Sequence, residues 1–390
     1  MVALQDIQQA AEALDGVVRR TPILTAHVLS NNLLLKAENL QTTGSFKIRG
    51  AYNRVRLLTD EERGRGVVAS SAGNHAQGVA KSASLFGVRS VVCMPATAPA
   101  LKVSATRGYG AEVVLVPGSF DAAAARAAEL SASEGLVYLH PFNDPAVIAG
   151  QGTVGLEILQ QVPDVEQIVV PIGGGGLISG IATAVKSLRP EVTVIGVQPA
   201  KVPSMRASLA AGGVVTVPDA STVADGLHVL TPGDLTFDIV RRYVDDVVTV
   251  TEDQIACGIT ALMEIPKVVA EGAGACATAA FLAGLVDMSK KTVCVISGGN
   301  VDISALTSII ERGLIASGCQ RTFRVCVPSS SKNPFEVVNR LVEAGCNIKD
   351  VHYYNDDTPR DINSVRLSVT VLAAGAERLA EAERIVAEFA

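Results

Sequence analysis

At 390 residues the chain is long enough for two or three domains. Hydrophobic residues make up 48% and charged residues 18%, which excludes disorder over most of the length. The net charge of −6 argues against a nucleic-acid partner, whose phosphate backbone calls for a basic surplus.

The N-terminal segment MVALQDIQQAAEALDG has no basic stretch leading into an apolar one, so no secretory signal is expected. No run of about 18 apolar residues occurs, so no membrane-spanning helix is expected and a cytoplasmic location follows. From there, short β-branched runs alternate with Ala-rich helical stretches. The spacing predicts strands over 66–69, 89–94, 112–116, 136–139, 167–172, 193–198, 246–250 and 292–297. It predicts helices over 74–86, 122–134, 146–161, 180–187 and 252–262. Strands apolar on both faces, alternating with helices, mean a mainly parallel α/β sheet covered on both sides.

After Gly318–Gln320 the pattern changes. A strand over 321–327, an amphipathic helix over 334–344, a strand ending at Tyr354, a half-buried strand over 363–372 and a helix over 376–389 follow. This β-α-β-β-α order predicts a separate small α+β unit. The seven Cys are scattered without a CxxC pair and read as buried, reduced thiols. The five His lack metal-ligand spacing, so no metal site is expected.

The composition includes 35 Gly and no Trp, and the glycines need a location. The strand over 167–172 runs directly into Gly173-Gly174-Gly175-Gly176 and then into a helix. In a parallel sheet, ligands bind beyond the carboxyl ends of strands. Successive glycines let backbone N–H groups converge, and the following helix start adds its positive dipole end. The spacing is neither GxGxxG nor Walker A, so a single phosphate is the natural guest. Two more polar turns end strands: Ser70-Ser71-Ala72-Gly73-Asn74-His75 and Ser297-Gly298-Gly299-Asn300. Three such turns point to one crevice.

The segment over 36–51, KAENLQTTGSFKIRGA, resembles the cofactor-lysine motif of the fold type II (tryptophan synthase β-like) pyridoxal-phosphate enzymes, and more narrowly of the serine/threonine dehydratases. SSAGNHAQGVA, GGGGLISG, VADG, EGAGA and ISGGN follow in that family's order, over about residues 5–316. The resemblance implies a two-lobed core with a large lobe over 1–65 and 144–317 and a small lobe over 66–143. It implies pyridoxal 5′-phosphate as cofactor, bound covalently to Lys47, which then acts as base at the substrate Cα. Phe46 would pack near the ring. Gly173, Gly174, Gly175, Gly176 and the Leu177 amide would hold the phosphate. Asn74 would hydrogen-bond the 3′-oxygen. Ser71, Ala72, Gly73, Asn74 and His75 would hold the substrate carboxylate, and Asp225 and Gly226 would line the substrate side. Ser297 would face the pyridine nitrogen. A neutral hydroxyl there stabilises a pyridinium less than a carboxylate does, which favours prompt expulsion of a β-substituent over transamination.

The activity implied is β-elimination from L-threonine, and L-serine, to a 2-oxo acid and ammonia, with the cofactor phosphate assisting loss of the hydroxyl. Alternatives are another β-elimination or replacement enzyme of this fold, such as a hydroxyaspartate dehydratase or a threonine synthase relative, and a non-catalytic amino-acid sensor. Related racemases carry a serine where this chain has Ala72, which disfavours two-base racemisation. Metal-binding members place acidic ligands where this chain has Gln198, Val202 and Ser204, so no divalent metal is expected. Residues 321–390 resemble an ACT-type domain, with Asn333-Pro334-Phe335 in place of the usual Pro-Gly turn. Assembly of a homo-oligomer or binding of an amino-acid effector is its expected role.

Overall fold

The computed structural model describes residues 2–328, 333–354, 364–373 and 375–389. Two compact units divide at Leu306/Thr307, within a helix over Ile303–Ala316 rather than at Gly318–Gln320.

The first unit holds two sheets. Strands β1 (Ile23–Thr25), β2 (Leu33–Ala37), β7 (Gln167–Pro171), β8 (Thr193–Pro199), β9 (Asp246–Val250) and β10 (Thr292–Ile296) form one, in the order β1-β2-β10-β7-β8-β9. Strands β3 (Val67–Ser70), β4 (Ser90–Pro95), β5 (Glu112–Val116) and β6 (Val137–Tyr138) form the other, in the order β5-β4-β3-β6. The smaller sheet is parallel throughout. The larger is parallel apart from β1, which pairs antiparallel with β2 at the edge. β3, β4, β7 and β10 are buried along their whole length, as runs apolar on both faces require. β5 departs from the expectation: it lies at the sheet edge and is only half-buried, with Glu112 and Leu115 exposed. β1 and β2 were not legible in the sequence, because β1 has only three residues and β2 carries Lys36 next to its end.

That lysine belongs to a buried ionic network. Lys36 donates to Glu157 at 2.5 Å and to the carbonyl of Thr21 at 2.8 Å. Arg49 donates twice to Glu38, at 2.8 Å each, and to Glu157 at 2.6 and 3.1 Å. Lys36, Glu38 and Arg49 have no exposed surface, and each has a charged partner, as burial demands. The network ties β2, the turn Glu38–Leu40 and the helix Pro145–Gln161 to the helix Lys47–Arg56.

Close helix packing accounts for many of the glycines. A Cβ on Gly180 would lie 2.3 Å from the carbonyl of Ile148, and one on Gly150 would lie 2.4 Å from that of Arg49. The helices Pro145–Gln161, Gly176–Leu188 and Lys47–Arg56 therefore approach to backbone distance.

The second unit has strands β11 (Gln320–Pro328), β12 (Asn347–Tyr354) and β13 (Ser364–Leu372) in an antiparallel sheet ordered β11-β13-β12. The helices Glu336–Glu343 and Ala376–Ala387 add to it, and Val325, Val337, Leu341, Leu367, Val369 and Ala382 are in its core. The expected start of the third strand, Asn363, lies outside the described residues. Cys326 corrects the thiol expectation: it is exposed, at an outward position of β11. Among the described residues no helix is long and apolar enough to cross a membrane.

Candidate active site

Lys47 opens the helix Lys47–Arg56. The residues before it are pinned to the end of β10. Ser45 bridges Gly298, the Phe46 N–H donates to the carbonyl of Ser297 at 3.1 Å, and the Gly299 N–H donates to that of Gly44 at 2.9 Å. Lys47 Nζ donates to the carbonyl of Pro141 at 2.9 Å and lies 5.2 Å from the centre of the Phe46 ring. Burial lowers the amine to about 8, against the opposing pull of the Glu271 carboxylate. A helix N-terminus also favours the neutral amine. Lys47 can therefore be a nucleophile or base near neutral pH.

The four glycines form a closely packed turn between β7 and the helix Gly176–Leu188. Gly175 has φ +96° and caps the helix Gly176–Leu188. A Cβ on Gly174 would lie 2.4 Å from the Phe142 ring, and one on Gly176 would lie 2.9 Å from Phe142 Cβ. The Thr236 hydroxyl donates to the carbonyl of Gly174 at 2.6 Å and holds the turn from behind. The first N–H groups of a helix have no partner within it, so Gly176 and Leu177 present donors at a positive dipole end. Gly173 lies beside the turn Asp225–Leu227: a Cβ there would be 3.2 Å from Leu227 Cα.

The third turn follows β3. Ser71 Oγ accepts from the Gly73 N–H at 3.2 Å, and Gly73 caps the helix Asn74–Leu85. The His75 ring is buried, and its Nε2–H donates to the carbonyl of Leu139 at 2.9 Å. Burial and the nearby Lys47 charge push the ring down to about 3, so it is neutral. Ala72 sits on the same turn and brings no acid or base. Asn74 joins this turn to the one after β10 and to the start of the helix Gly272–Leu282: its Nδ2 donates to Glu271 at 2.5 Å, and its Oδ1 accepts from Asn300 at 2.7 Å.

Glu271, Asn300, Lys102, Phe142 and Thr236 were missed in the sequence. The first two lie inside EGAGA and ISGGN, and those motifs were the available signal. Asp225 is exposed and its carboxylate pairs with Lys102 at 2.9 Å. Ser297 is buried at the end of β10. Gln198 accepts from the Arg206 N–H at 2.9 Å, and Ser204 donates to the carbonyl of Val229 at 2.6 Å. Among the described residues no group of three His, Cys, Asp or Glu could hold a metal.

An amine poised near neutrality and held by the carbonyl of Pro141, whose neighbour Phe142 packs on a glycine-walled helix start, fits a cofactor that carries both an aldehyde and a phosphate. Two flanking α/β sheets with that site define a fold type II pyridoxal-phosphate enzyme. The family model for pyridoxal-phosphate dependent enzymes matches residues 14–298, and the chain belongs to that family. It is 47% identical to the L-threonine ammonia-lyase of Thermotoga maritima, over 99% of this chain and 97% of that protein. It is 49% identical to the catabolic L-threonine dehydratase TdcB of Escherichia coli, over 79% of this chain and 96% of that one. Among solved structures, threonine deaminase isoform 2 from Solanum lycopersicum superposes with a TM-score of 0.76 at 38% identity, covering 79% of this chain and 93% of that one. Maize serine racemase gives 0.74 at 36%, covering 80% and 98%.

Proposed function

We propose that the chain is a pyridoxal-phosphate dependent L-threonine ammonia-lyase that also accepts L-serine, releasing a 2-oxo acid and ammonia. The observation that carries this is the Lys47 amine, lowered by burial to about 8 and bonded to the carbonyl of Pro141, beside the Phe142 that packs on the glycine turn. Bound pyridoxal phosphate supplies a ring that withdraws electrons through the substrate nitrogen and so acidifies Cα. Gly173, Gly174, Gly175, Gly176 and Leu177 hold the phosphate with backbone N–H groups. Ser297 would face the ring nitrogen with a neutral hydroxyl, Phe46 would pack near the ring and Asn74 would hold the 3′-oxygen. The Ser71–His75 turn takes the substrate carboxylate with N–H groups at its helix start, and Asp225 and Gly226 line the substrate side. Lys47 Nζ removes the Cα proton. The Cα–H electron pair becomes the Cα–Cβ double bond as the β-hydroxyl leaves, taking up one proton to depart as water and so balancing the proton that Lys47 removed. The released enamine tautomerises and is hydrolysed by water to the 2-oxo acid and ammonia.

Ala72 supports elimination over racemisation, because it leaves Lys47 without an acid opposite it. The C-terminal residues 321–390 are proposed to serve homo-oligomer assembly or amino-acid sensing, with the first unit acting as large and small lobes. A 2-oxo-acid assay across L-threonine, L-serine, D-serine and 3-hydroxyaspartate tests the proposal. Turnover of L-threonine ahead of D-serine and 3-hydroxyaspartate is expected. Turnover of 3-hydroxyaspartate alone, or of none, overturns it.

A further inference from the structure

The hydrogen bonds around Asn74 leave its amide a single orientation. The carbonyl of Thr43 can only accept, so the Asn300 group 2.8 Å from it is the amide nitrogen. That same nitrogen lies 2.7 Å from Asn74, whose facing atom must therefore be Oδ1. Asn74 Nδ2 is left to donate to Glu271 Oε1 at 2.5 Å. Glu271 is the residue before the helix Gly272–Leu282, and it is 3% exposed. Its carboxylate sits against the end of β10: a Cβ on Gly298 would lie 2.4 Å from Oε1.

We infer that Glu271 is a positioning residue of the reaction: with Asn300 behind it, Glu271 fixes the Asn74 amide so that the second Nδ2 hydrogen is free for the cofactor. The inference rests on the cofactor reading above. It gives the glutamate of EGAGA a role that packing does not, since a buried carboxylate is costly unless it accepts specific hydrogen bonds. The groups facing Glu271 are Lys47 on the helix Lys47–Arg56, Lys102 on the helix Ala100–Gly108, Asp225 on the turn Asp225–Leu227, and Asn74. Cys276, on its own helix, stays protonated because of burial. Burial and the Asp225 charge push Glu271 up to about 7, against Lys102, Asn74 and Lys47. Its ionisation as pH rises through neutrality strengthens its hold on Asn74, because a charged acceptor makes the stronger bond.

The test compares the loaded parent with Glu271→Ala and Glu271→Gln. It reads the absorption spectrum of bound pyridoxal phosphate from pH 6 to 9, the Kd for that cofactor, and kcat and KM separately. The parent spectrum and kcat are expected to titrate near pH 7. Glu271→Gln keeps a neutral carbonyl acceptor for Asn74, as the protonated carboxyl does, so it should hold the low-pH spectrum across the range and lose the titration. Glu271→Ala should alter the spectrum and lower kcat about 10- to 100-fold, the effect of one hydrogen bond to a charged group. A titration near pH 7 that survives in Glu271→Gln overturns the inference. So does a Glu271→Ala protein with the parent's spectrum, Kd and kcat. A parent that takes up no pyridoxal phosphate overturns the cofactor reading itself, and the inference with it.

Discussion

Replacing Arg49 by methionine should destabilise the first unit severely while leaving the volume of the site nearly filled. The guanidinium donates to both oxygens of Glu38 and both of Glu157, and also to Thr153 at 3.1 Å. Its loss leaves Glu38, which has no exposed surface, with Thr21 and the more distant Lys36. Removing one partner of a buried ion pair costs about 3–5 kcal/mol, because the other charge stays behind. The double variant Arg49→Met/Glu38→Gln removes both charges, so it should cost less than the sum of the single variants by about 1 kcal/mol or more. The assay is urea unfolding of the four proteins, compared at their midpoints with slopes matched. pH gives a second check. Burial opposes the Glu38 charge, but Arg49, with Lys36 and Thr21, more than offsets it and holds the carboxyl below its ordinary value of 4.5. A depressed carboxylate contributes stability above its unfolded pKa and loses it as pH falls through the folded one. The penalty of Arg49→Met should therefore shrink below about pH 4.5. A cost under about 1 kcal/mol at pH 7, or strict additivity in the cycle, would refute the reasoning.

The rate at which the cofactor-free protein takes up pyridoxal phosphate should rise between about pH 7 and 8.5 and then level, because the neutral amine is the nucleophile and Lys47 titrates at about 8. A rate still climbing past pH 10 would point to an ordinary lysine. Gly174→Val should abolish cofactor retention in equilibrium dialysis, since even a Cβ meets the Phe142 ring at 2.4 Å. Gly180→Ala touches no proposed ligand group, yet it forces a Cβ to 2.3 Å from the carbonyl of Ile148. It should lower the unfolding midpoint by the equivalent of about 1–3 kcal/mol, as overpacking does.

The alternation of short apolar strands with helices made the sheets legible, because strands buried on both faces carry polar residues only at their ends. β2 escaped because Lys36 breaks its apolar run, and only the tertiary network with Glu157 explains a buried lysine. Lys47 and the glycine turn were legible as motifs. The physical reason for the glycines was only half legible: a Cβ on Gly174 or Gly176 would also meet Phe142. Glu271 and Asn300 act through Asn74 across long sequence separations, and no local pattern encodes such hydrogen bonds.

Everything proposed for this chain depends on Lys47 Nζ. The most direct measurement is borohydride reduction of the loaded protein followed by mass mapping of its peptides. The cofactor mass should be fixed on Lys47 and on no other lysine. Its appearance on a different lysine, or no retained mass in protein that turns over L-threonine, would contradict the proposed site.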